Sequence, residues 1–219
     1  MVMKVRRVMA GLGAGVLVLV MGPAMATGNS YTVAVGGSSA SSQASFTASS
    51  DGSISYQTEK PDGTFLNWTC VAGAVPAGSG SVVNAGSGVV DIAHLHGVTL
   101  TACGSFGGNL AMTTAGTWTM HATSPVTSAS SDSVSVHLEN VTIVVSNPVC
   151  SYRVTGGLDG SFNEATQKLT IDEKADGTGQ SATVANVVGC LGQVINGGKF
   201  KLRATFSTVT SGGSINLLP

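Results

Sequence analysis

The stretch Val134 to Val154, VSVHLENVTIVVSNPVCSYRV, constrains the fold more than any other part of the chain. Val134, Val136 and Leu138 alternate with polar residues, a period of two that fits a half-buried strand. The apolar positions then move to Val141, Ile143 and Val145, so a residue is inserted near Glu139-Asn140. A β-bulge or tight turn belongs there, because a one-residue slip otherwise sends every later side chain to the opposite face. Asn147-Pro148 makes a turn, and Cys150, Tyr152 and Val154 form a third inward set before Gly156 to Gly160 turns the chain back.

The same grammar runs through the rest of the chain. After residue 26 no segment has helical periodicity, and short alternating runs are separated by Gly, Asp-Gly and Asn-containing turns. Phe46 to Ala48 and Ser53 to Thr58 predict a hairpin around Asp51-Gly52. Leu66, Trp68 and Cys70 share a face, as do Trp118, Met120 and Ala122, with Thr117, Thr119 and His121 outward. Ala72 to Gly88, uncharged and rich in Gly, Ala, Ser and Val, reads equally as a long loop or as two flat strands. Lys199 to Val209 is the clearest amphipathic strand: Phe200, Leu202, Ala204 and Phe206 alternate with Lys199, Lys201, Arg203 and Thr205. Its three cations could serve an acidic partner, but on a wet strand face they more often serve solubility and edge protection. The fold class is therefore all-β, an antiparallel β-sandwich of one large or two closely packed domains.

Residues 1–26 read as a secretory signal peptide, with Lys4, Arg6 and Arg7, an apolar run from Val8 to Met21, and Ala24-Met25-Ala26. The run is shorter than the ~20 residues a spanning helix needs, so no transmembrane segment is expected in the mature chain. The β-rich halves 27–125 and 126–219 meet at Ser124-Pro125 and the spacer TSASSDS, and form one continuous domain if that spacer is no boundary. Without the leader the chain carries a net charge of −4, which gives no support to nucleic-acid binding. Charged residues make up only 10% of the sequence, so the surface must be wetted by Ser, Thr, Asn and Gly and tends to associate.

Export sets the chemistry of Cys70, Cys103, Cys150 and Cys190. An even set in an oxidising compartment predicts two disulfides. Of three connectivities, Cys70–Cys103 with Cys150–Cys190 keeps each loop within one half, and a zinc site lacks its close C-x-x-C pairing. A thiol enzyme would need a free cysteine. No G-x-S-x-G elbow supports a serine hydrolase. Asp51, Asp62, Asp159 and Asp176 each precede Gly as turn residues rather than as a glycosidase pair, and Glu139 and Glu164 have no recognisable setting. His94 and His96, spaced i, i+2 beside Asp91, are weak metal candidates that His121 or His137 would complete. Ordinary half-exposed strand histidines are the stronger reading.

Phe46-Thr47-Ala48, a cysteine after an apolar strand, a Gly/Ser-rich middle, a second cysteine and Gly116-Thr117-Trp118-Thr119 together resemble the small secreted alkane-oxidation activators. The Cys150–Cys190 half, with Gly160-Ser161-Phe162-Asn163 and Thr166-Gln167-Lys168-Leu169, is similar to uncharacterised secreted β-proteins of actinobacteria. These resemblances imply an exported, non-catalytic protein of the cell surface or extracellular matrix. No cofactor and no catalytic residue is expected, and the partners would be further copies of the chain or surface and matrix components. The alternatives are a β-module binding an apolar small molecule near Trp68, and a metal-dependent enzyme at His94 and His96.

Overall fold

The computed structural model describes residues 30–104, 110–124, 126, 133–174 and 181–218. The leader at 1–26, Pro125, most of the spacer, the Asp176-Gly177 turn and most of the turn after Cys103 lie outside the described residues.

Sixteen strands account for about two thirds of the described residues. The first eight are β1 (Tyr31–Val35), β2 (Ser42–Ser50), β3 (Ile54–Glu59), β4 (Phe65–Cys70), β5 (Ala72–Val75), β6 (Val82–Val89), β7 (Asp91–His96) and β8 (Thr99–Cys103). They are followed by β9 (Leu110–Thr114), β10 (Thr117–Ala122), β11 (Ser133–Asn147), β12 (Cys150–Asn163), β13 (Lys168–Glu173), β14 (Thr183–Gly189), β15 (Phe200–Thr210) and β16 (Ile215–Leu218). Among the described residues a single 3-10 turn spans Cys190–Gly192. Ala72 to Gly88 thus contributes two strands, β5 and β6, which bury Val75, Val83 and Ala85 in the core.

The long hairpin β11–β12 organises the rest. Its register shifts between Leu138 and Val141, with Asn140 at φ 58°, where the change of apolar parity placed the bulge. Below the bulge β11 pairs with β10 and β12 with β13, whereas above it they pair with β9 and β14. The hairpin therefore passes from one layer of the sandwich to the other. Gly156 to Gly160 is not a turn, and β12 runs through it to Asn163, paired with β11 along its length. Those glycines permit close approach instead: a Cβ on Gly160 would lie 2.3 Å from the Thr170 carbonyl oxygen.

Asp51-Gly52 also differs from expectation. β2 and β3 do not pair with each other; they lie end to end along β15, with Ser55 opposite Arg203 and Ser50 opposite Phe206. All pairings between these strands are antiparallel. Following them from β2 through β6, β7, β10, β11, β12, β13 and β15 leads back to β2, so the ladder closes on itself. Strands from either side of residue 125 are neighbours in this ladder, and β1 pairs with β16.

The expected inward sets fill the interior. Phe200, Leu202, Ala204 and Phe206 are buried from β15, and Trp118, Met120 and Ala122 from β10. Cys70 joins Cys103 and Cys150 joins Cys190, the expected pairs. The Met112 sulfur lies 3.8 and 3.5 Å from the Cys70 and Cys103 sulfurs, while the Trp68 indole stacks on Tyr56 with ring centres 5.8 Å apart.

Candidate functional site

His94 and His96 lie on the outer face of β7, opposite Thr119 and Thr117. The Thr117 hydroxyl is 3.2 and 3.1 Å from the two ring nitrogens of His96. Among the described residues no three His, Cys, Asp or Glu side chains converge to hold a metal ion. The β7–β10 register slips between Met120 and His121, which brings Asp91 opposite His121.

That slip completes a row of polar residues across five strands, β7, β10, β11, β12 and β13. His121 Nδ1 is 3.3 Å from Asp91 Oδ1, and its Nε2 is 3.3 Å from Glu139 Oε2. His137, directly opposite His121 on β11, has its Nδ1 2.6 Å from Asp159 Oδ1. The Asp159 N–H donates to Glu173 Oε2 at 3.1 Å. Asp159 is therefore a mid-strand residue of β12 and not part of a turn. Both imidazoles are buried although they belong to the outward set, and the carboxylates of Asp91 and Asp159 remain half exposed. Carboxylates on the ring nitrogens fix the orientation of both rings. The sequence singles out Asp91, His121, His137, Glu139 and Asp159 but neither Glu173 nor the pairing, which only the cross-strand register reveals.

Elsewhere the titratable groups serve local structure. The Thr64 hydroxyl, then its backbone N–H, then Lys60 hold the Asp62 carboxyl down to about 2 at the β3–β4 turn. Burial, and then the neighbouring Tyr152 phenol, pushes the Tyr56 hydroxyl far above the usual phenol range. Burial likewise raises that of Tyr152, and neither hydroxyl has a well-formed hydrogen bond. Glu164, buried, accepts the Leu217 N–H.

Two spaces bear on ligand binding. An open cleft of about 260 Å³ lies over β3, β15 and β13, lined by Asp172, Glu173, Lys174, Lys201 and Arg203 among others. Its cations are engaged within the chain: Arg203 Nε is 3.1 Å from Asp172 Oδ1, and Lys201 Nζ sits 3.8 Å above the Phe65 ring. Between the layers, a void of about 10 Å³ is bounded by Ala48, Val75, Leu95, Trp118, Ile171 and Phe206 among others. No helix among the described residues is long and apolar enough to cross a membrane.

Set against known protein families, curated proteins and solved structures, the chain matches none of them.

Proposed function

We propose that the protein is an exported, non-catalytic component of the cell surface or extracellular matrix, with a structural or adhesive role. The observation that carries this reading is the pair of disulfides, one in each half, tying a densely filled all-β interior. Disulfides persist in oxidising compartments, and the leader-like residues 1–26 agree with that setting. The likeness in layout to secreted alkane-oxidation activators points the same way. A surface of low charge favours association, with other copies or with matrix. The interior void of about 10 Å³ has room for roughly one water, which argues against a carrier of apolar small molecules at this place in the core.

Fractionation of the producing cells, followed by sedimentation of the purified protein over a range of concentrations, tests the proposal. Recovery outside the cytoplasm, together with self-association or cell binding, is the expected result. A protein that stays monomeric at high concentration and binds neither cells nor hydrophobic surfaces would sink it.

A further inference from the structure

One end of the molecule presents aliphatic side chains that nothing in the fold covers. Val149, Val188 and Leu191 are 46%, 67% and 72% exposed, and they surround the Cys150–Cys190 bridge. Ser151 stands opposite Val188 across β12–β14, and Val149 lies in the turn directly before Cys150, with its carbonyl accepting the Cys190 N–H. Leu191 follows the bridged cysteine directly. No charged residue occurs from Asn140 to Tyr152 or from Ser181 to Gly198, the segments that build this tip.

The tip is also built to hold its shape. Cys190 and Leu191 both take left-handed backbone, with φ 59° and 51°, a region that leucine disfavours. Glycine stands at 189 and 192, yet leucine occupies the strained, solvent-facing position between them. Three hydrogen bonds brace it: Cys190 N–H donates to Val149 O at 2.9 Å, Gln193 N–H to Cys190 O at 2.9 Å, and Val149 N–H to the Asn147 side-chain Oδ1 at 3.0 Å.

We infer that this disulfide-braced tip inserts Val149, Val188 and Leu191 into the apolar layer of a lipid bilayer. The size of the patch selects this partner over a second copy of the chain. Three side chains offer roughly 300 Å², far below the ~800 Å² per partner of a standard protein interface. Lipid requires no matching surface, and its affinity scales with the apolar area buried. The inference rests on the cell-surface reading above, for which it names one partner.

The test is flotation of the exported, disulfide-intact protein with uncharged phosphatidylcholine vesicles. Co-flotation at both low and high salt is expected. Leu191→Asn, which suits left-handed backbone but is polar, should lower the partition coefficient by about tenfold, and adding Val188→Thr should lower it further. Leu191→Gly relaxes the backbone and should lose binding while keeping or raising the thermal midpoint, which separates lipid contact from folding. Wild-type protein that stays with the unbound fraction overturns the inference, as do variants that float equally well or binding abolished by salt. Self-association lost in the same variants would assign the tip to a second copy and would also overturn it. Failure here, beside extracellular recovery and cell binding, would leave the surface role standing without this partner.

Discussion

Tyr56 and Tyr152 show what burial costs when hydrogen bonding is poor. Both phenols are buried and neither makes a well-formed hydrogen bond, while the Tyr56 ring stacks on Trp68 and Phe200. Replacing both with Phe keeps the rings and removes two desolvated hydroxyls. The double variant should match wild type or gain about 1 kcal/mol by urea unfolding. Because both folded values are raised, the stability linked to these groups is full below the unfolded phenol value of about 10 and is lost as pH rises above it. An absorbance titration should therefore show no tyrosinate from either until the fold opens. Asp62 has the opposite sign: its contribution is present above the unfolded carboxyl value and fades only as pH falls toward about 2. Thr64→Val removes the leading cause, and an NMR titration should find Asp62 moved up toward the ordinary ~3.9. The inward identity of Phe200, Trp118 and Val136 was legible from period two alone. The His121–Asp91 contact was not, because it depends on a slipped register between strands that sequence does not align.

At the next scale, β16 shows how an edge is closed without another strand. Its Ile215 N–H donates to Gln167 Oε1 at 2.7 Å, and Gln167 Nε2 donates to Ile215 O at 2.9 Å. Glu164 accepts the Leu217 N–H beside it. One side-chain amide and one carboxylate from the β12–β13 turn thus stand where a neighbouring backbone would, which protects the edge from pairing with another chain. Gln167→Ala should cost about 1–3 kcal/mol and speed hydrogen exchange at Ile215 and Leu217. β16 itself went unread in the sequence because INLL is short and follows glycines. β9, LAMTT, escaped for a similar reason. In Gly156 to Gly160 the glycines suggest a turn, although glycine equally marks backbone approach, which is the role Gly160 has under Thr170. By contrast, the Asn140 bulge was visible because it changes the parity of six apolar residues.

For the whole molecule, the two bridges and the closed ladder carry the argument. The Cys70–Cys103 and Cys150–Cys190 bridges join residues 33 and 40 apart in sequence. Replacing either pair by Ala should cost about 2–5 kcal/mol in denaturant unfolding. The Cys150–Cys190 variant should in addition loosen the Leu191 tip, which local proteolysis would report. All-β class and bridge pairing follow from composition, the even cysteine count and spacing. Strand order does not, since β15 draws partners from both ends of the chain. That interleaving places Thr32 beside Leu218 in the antiparallel β1–β16 pair. The consequence is mechanical. Tension applied between these two residues loads the pair from one end, so its rungs yield one after another, as a zipper opens, instead of sharing the force. A surface protein of this build that must bear load would be held elsewhere than by both of these strands.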